Sequence, residues 1–132
     1  MIIKSFELNR TSLEKYNFFL FYGENNGYKE EIIQKIVQKI KIEKMTYFEN
    51  EILSNSEVFF NSLISKSFFE TEKLIVVSKV TDKFKNIIDE IFEKNIKDIT
   101  IILNADELNK KSKLRSLFEK EKNLICTPFY QD

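Results

Sequence analysis

The chain has no histidine, one cysteine, one proline and two glycines among its 132 residues. Each scarcity excludes something. Without histidine there is no histidine-dependent catalytic triad and no histidine metal site within the chain. The single cysteine, Cys126, rules out an intrachain disulfide and fits a reducing cytoplasm. No apolar run approaches the roughly 20 residues of a membrane span, so no membrane partner is expected. The first residues carry no long apolar core and no small-residue cleavage site, so no secretory signal is expected. Charge of one sign is missing too. Lysine plus arginine number 21 and aspartate plus glutamate 21. That balance argues against a strong autonomous hold on nucleic acid, which needs a basic face.

What is present reads as one soluble globular domain over 1–132, with 42% apolar and 32% charged residues. Phe18-Phe19-Leu20-Phe21-Tyr22 is a continuous apolar run, as in a strand buried on both faces. Met45–Phe48, Leu74–Val77, Ile99–Leu103 and Leu124–Cys126 read as further strands, the last closed by Pro128. Between them lie helical spacings. Ile32, Ile33, Ile36, Val37 and Ile40 form one face of a helix over 29–41. Ser54-Asn55-Ser56-Glu57 has capping-box spacing and predicts a helix starting there, with Val58, Phe59, Leu63 and Ile64 on its apolar side. Thr81 or Asp82 is expected to cap a helix carrying Phe84, Ile87, Ile88, Ile91 and Phe92. Leu114, Leu117 and Phe118 mark a basic helix whose Lys111–Arg115 start reads as a solvated face. Apolar strands alternating with helices predict an α/β fold, a parallel sheet flanked by helices in three layers.

Both glycines fall in Tyr22-Gly23-Glu24-Asn25-Asn26-Gly27-Tyr28-Lys29-Glu30, between the first strand and the first helix. Strand, glycine-bearing turn and helix is the layout of a phosphate-binding loop. A working loop needs G-x-x-x-x-G-K-[ST]. Counting from Gly23, Gly27 comes one residue early, Tyr28 stands at the second glycine position, Lys29 falls on the lysine and Glu30 replaces the hydroxyl. A tyrosine obstructs the close approach of backbone to phosphate. A glutamate sets negative charge against negative charge. No acidic pair follows Leu74–Val77 directly, and Asp106-Glu107 follows Leu103 only after Asn104-Ala105. Gly23, Gly27 and Lys29 therefore read as a degenerate P-loop that holds no nucleotide, and no cofactor is expected. Asn104 reads as a turn or cap residue, and Cys126 as a buried, inert thiol.

The order of several segments resembles a known family. Phe18–Gly27 is similar to the opening strand and loop of the delta subunit of the bacterial DNA polymerase III clamp loader. The likeness continues in Ser65-Lys66-Ser67-Phe68-Phe69 ahead of Lys73–Val77, and in Ile101–Leu108 running into Lys111–Arg115. It ends with Phe118-Glu119-Lys120 through Cys126–Asp132. The ordered set carries the resemblance, across nearly the whole chain, and no single motif does. It implies the first domain of a longer protein whose helical and collar domains lie outside this sequence. It implies an AAA+-like fold without ATP use, and a non-catalytic part of a nucleotidyltransferase complex. The implied partners are the beta sliding clamp and the loader's gamma/tau and delta prime subunits, with DNA met only indirectly or weakly.

Carried over by position, the clamp-binding element is Ser67, Phe68 and Phe69, with Ser65 and Lys66 as flanks; the two aromatics form the wedge. Family members often have leucine where Phe68 stands, and a glutamine upstream where this chain has Leu63 or Ile64. Apart from the family, adjacent helical residues point about 100° apart, so one core seldom takes both members of a Phe-Phe pair. Core packing remains open as an alternative for Phe68-Phe69, because Phe-Phe also occurs at 18–19 and 59–60. Two other functional readings stay open as well: a nucleotide-binding P-loop-like enzyme, and an α/β scaffold domain without a clamp partner.

Overall fold

A computed structural model describes residues 1–10, 13–68 and 72–130, the side chains of Arg10 and of 66–68 excepted. Strand β1 (Phe18–Tyr22) leads into helix α1 (Asn26–Ile40), then β2 (Lys44–Phe48), α2 (Glu49–Ser54) and α3 (Ser56–Phe68). Strand β3 (Lys73–Val80), α4 (Lys85–Glu93), β4 (Ile99–Ala105), α5 (Lys113–Lys120) and β5 (Leu124–Pro128) complete the order. The five strands pair in parallel in the order β2-β3-β4-β1-β5. The fold is α/β, with an all-parallel sheet between two layers of helix.

Side-chain alternation divides the core in two. Leu20, Ile75, Val77, Ile101, Leu103 and Cys126 meet Phe59, Leu63, Ile88, Leu114 and Phe118 of α3, α4 and α5 on one face. Phe19, Phe21, Leu74, Val76, Ile102 and Ile125 meet Ile32, Ile33 and Ile36 of α1 on the other, with Ile3 and Leu8 of the N-terminal segment. Strands buried on both sides must be apolar at every position, which is why they stand out as runs in the sequence. Each fully buried Leu, Ile or Phe contributes about 1.5–3 kcal/mol. The N-terminal segment covers one edge of the sheet: Ile3 N–H donates to Cys126 O at 3.0 Å, and Cys126 N–H to Met1 O at 2.9 Å. The Met1 ammonium donates to the carbonyls of Phe118 in the last turn of α5, of Glu121 just after it and of Leu124 at the start of β5. Cations are favoured at that end of a helix.

Several local expectations are corrected. A helix does start within Ser54–Glu57, α3 at Ser56, but nothing in the sequence marked the short helix α2 (Glu49–Ser54) before it, which breaks at Asn55 (φ −150°, ψ 61°). The reason is tertiary. Glu49 is buried and accepts from Thr81 N–H at 2.6 Å and Thr81 Oγ1–H at 2.7 Å, which anchors α2 to the end of β3. Among the described side chains of α3 the buried ones are Phe59, Phe60 and Leu63, whereas Val58 and Ile64 are exposed. Phe59 and Phe60 are both buried, with ring centroids 5.6 Å apart at 74°. One core thus accepts an adjacent pair, so adjacency alone is no argument that Phe68-Phe69 is exposed. Phe92 is partly exposed and packs edge-on against Phe18. Thr81 caps the short 3-10 turn Asp82–Phe84, while Asp82 reaches across to the start of α5, accepting from Ser112 Oγ–H at 2.6 Å and Leu114 N–H at 2.9 Å.

Candidate functional site

Strand β1 is followed by α1 on one face, and its neighbour β4 by α5 on the other. The carboxyl ends of β1 and β4 therefore flank the topological switch point, where open α/β sheets hold ligands. The glycine-bearing turn lies at this point, but several of its backbone donors are engaged within the chain. Gly23 N–H donates to Asp106 O, Asn25 N–H to Phe129 O at 3.3 Å, and Asn26 N–H to Glu24 O at 2.8 Å. Asn25 caps α1 through its Oδ1, which accepts from Tyr28 N–H at 3.2 Å.

The chain beyond β5 passes directly over the turn. Phe129 N–H donates to Tyr22 O at 2.7 Å. The Phe129 ring is buried edge-on against Phe21 and Tyr28, with centroids at 5.4 and 5.2 Å. Tyr28, at the position where a P-loop has its second glycine, thus packs against the segment that covers the turn. Gly23 adopts φ +118°, a conformation that favours glycine. Gly27 has open space around it.

Lys29 is fully buried, and its Nζ donates to Ala105 O, the last residue of β4, at 2.6 Å. Burial pushes its pKa below the ordinary lysine value, opposed by Asp106 and Glu30 nearby. Glu30 accepts from the Asn104 side-chain amide at 3.2 Å, tying α1 to β4. Asn104 is therefore a strand residue bridging to a helix and not the turn or cap expected of it. The arrangement holds the strand ends to the first turn of α1 by the two positions, 29 and 30, that a P-loop directs at phosphate and magnesium.

Arg115 does not lie on a solvated helix face as its lysine-rich surroundings suggest. Its guanidinium sits over the Tyr22 ring at 4.9 Å, donates through Nη1 to Leu108 O at 2.8 Å and through Nε to Glu119 at 3.1 Å. Beside it a groove of about 420 Å³ opens between Tyr22, Glu24, Glu107, Leu108 and Tyr130. Burial raises the Tyr22 phenol pKa, and a hydrogen bond that the protonated Glu107 carboxyl donates to the neighbouring Glu24 raises that of Glu107. Nothing in the sequence signalled this groove, because its walls come from four separate segments. Cys126 is buried and its thiol is pushed up to about 12 by desolvation, so it stays protonated.

Of the residues carried over as a wedge, the described ones, 65–68, lie at the other end of the sheet. Ser65 is exposed on the last turns of α3. Lys66, Ser67 and Phe68 end that helix, and Phe69 lies outside the described residues. The helix is held just before them: Lys73, buried at the start of β3, donates from Nζ to Leu63 O at 2.9 Å. Exposed Ile64 precedes Phe68 by one helical turn. A larger cavity of about 690 Å³, lined in part by Ile36, Ile40, Glu72 and Lys73, opens at this same end. The structure thus separates the two sets of candidate residues: Gly23, Gly27 and Lys29 at the carboxyl ends of the strands, and 65–68 at the amino ends. Among the described residues, no group of three or more acidic or cysteine side chains is placed to hold a metal ion. None of the described helices is long and apolar enough to cross a membrane.

The fold and the turn define a class: a three-layer α/β domain with an all-parallel sheet, whose turn after β1 is bonded to its own chain. Compared with known families and curated proteins, the chain matches no family model and no curated protein.

Proposed function

We propose that this is the clamp-binding domain of a delta-type subunit of the bacterial DNA polymerase III clamp loader, an AAA+-like module that acts without nucleotide. It binds the beta sliding clamp through Phe68 and Phe69, flanked by Ser65, Lys66 and Ser67, and helps to open the ring for loading onto DNA. Other loader subunits, gamma/tau and delta prime, supply the remaining functions, and the domain itself catalyses nothing. Its place of action is the cytoplasm.

The observation that carries this reading is the fate of Lys29 and the turn before it. Lys29 is buried on Ala105 O, and the Gly23 and Asn25 N–H groups donate to Asp106 and Phe129. A nucleotide-using relative would need those same groups at phosphate. The resemblance of the ordered segments supplies the partner, and the described geometry supports its site. Lys73 anchors α3 at Leu63 O, and Ile64 and Ser65, which follow directly, are exposed. The mechanism is differential binding: a wedge that fits an opened clamp interface better than a closed one shifts the clamp toward opening. The test is affinity for the purified clamp with and without ATP and magnesium. Equal binding in both is expected; binding only with nucleotide would sink the reading in favour of a P-loop enzyme.

A further inference from the structure

We propose that Phe129, with Pro128 and Tyr130 beside it, is a latch built into the fold. Shut, it holds the turn after β1 and the first turn of α1 against the sheet. Released, it lets residues 23–30 open as one local unit that carries the Lys29 amine into solvent while the strands stay paired. The latch lies at the carboxyl ends of the strands, away from α3, so it does not rest on the clamp reading.

The ties of this unit converge on the segment after β5. Phe129 N–H donates to Tyr22 O at 2.7 Å, and Asn25 N–H donates back to Phe129 O at 3.3 Å. The Asn25 side chain donates through Nδ2 to Tyr130 O at 3.4 Å. The buried Phe129 ring stands edge-on to Tyr28 of α1 and to Phe21 of β1. Asn25 also starts the helix: its Oδ1 accepts from Tyr28 N–H and its carbonyl from Lys29 N–H at 3.1 Å. One residue therefore joins the latch to the head of α1. Further ties run to the end of β4, from Gly23 N–H to Asp106 O, from Lys29 Nζ to Ala105 O and between Glu30 and Asn104. Two opposed effects meet here. An ammonium is better solvated in water than on a buried carbonyl, so Lys29 favours opening. Opening also undoes the burial of the Phe129 ring, which opposes it. Tyr130, exposed, is the part of the latch that a partner reaches.

The experiment reads local opening in two ways on the whole chain: amide hydrogen exchange, and acetylation of each lysine by an N-hydroxysuccinimide ester, located by peptide mass. In the wild type the amides of Asn25 and Lys29 are expected to exchange together, faster than those of Val77 and Leu103 in the sheet, and with little response to low urea. Lys29 acetylation should follow the same opening. Phe129→Ala is expected to speed both at Lys29 about tenfold or more, because a buried ring is lost. Ile88→Val, in the core on the opposite face of the sheet, should speed the sheet amides and leave Asn25 and Lys29 unchanged. Should Phe129→Ala fail to fold, Tyr28→Ala, which removes the ring of α1 that meets Phe129, is read the same way. A common rate and urea response for unit and sheet in the wild type would overturn the proposal, as would latch variants that leave Lys29 no faster.

Discussion

The backbone of Phe129 occupies the space that a side chain on Gly23 would need. A Cβ built on Gly23 falls 2.7 Å from the Phe129 carbonyl carbon and 2.9 Å from its nitrogen. The glycine at the head of the turn is therefore required by the chain's own C-terminal segment. That explains why this turn needs a glycine at position 23.

The two glycines should respond oppositely to substitution. Gly23→Ala meets both the overlap with Phe129 and a φ of +118°, and is expected to lose at least about 3 kcal/mol. Gly27→Ala sits in the first turn of α1 with nothing within 4 Å, and is expected to gain about 0.5–1 kcal/mol from helix propensity. Urea denaturation of both variants measures this. A phosphate loop would show its need for Gly27 as lost nucleotide binding; a structural turn shows none.

Lys29 gives a pH signature. Its folded pKa lies below its ordinary 10.5, so between those values the unfolded chain binds more protons. Stability then rises with pH through that window. Denaturation followed as the pH is raised toward 10.5 should show the rise in the wild type and a smaller one in Lys29→Met. ATP with magnesium should shift the melting temperature of neither.

Asp82 is the reverse case. Hydrogen bonds from Ser112 and Leu114 hold its carboxyl below its ordinary 3.8, so the stabilisation is present above that value and lost as pH falls through the depressed one. Asp82→Ala is expected to cost about 1–2 kcal/mol at neutral pH, as for a helix cap, with the gap to wild type closing in strong acid. A gap that stays constant with pH would contradict this role.

Thr127 is buried in β5, and its hydroxyl is the one buried side-chain polar atom without a hydrogen-bond partner among the described residues. Thr127→Val removes that group at nearly the same shape. Stability should rise by about 1 kcal/mol, read from the denaturation midpoint.

The sheet was legible because doubly buried strands have no polar face to hide them. Phe18–Tyr22, Leu74–Val77 and Ile99–Leu103 needed only their apolar runs to be found. Helix α1 was legible from one apolar face. What the sequence concealed depends on distant partners. Helix α2 rests on Glu49 bonding Thr81, 32 positions away. Arg115 looks solvated beside its lysines until Tyr22 and Leu108 are brought to it by the fold. In the loop, Tyr28 and Glu30 already spoke against phosphate, but the role of Phe129 over Gly23 carries no local signal. The wedge at Phe68 and Phe69 came from the ordered resemblance, and the burial of both Phe59 and Phe60 removes the independent argument from adjacency.

The most direct test of the central claim is the affinity of this domain for the beta sliding clamp, compared between wild type and Phe68→Ala/Phe69→Ala. Burying each ring contributes about 1.5–3 kcal/mol, so the double variant should bind about 100-fold more weakly or worse while its denaturation midpoint stays near wild type. Equal binding by the two proteins, or no binding by the wild type, would contradict the account.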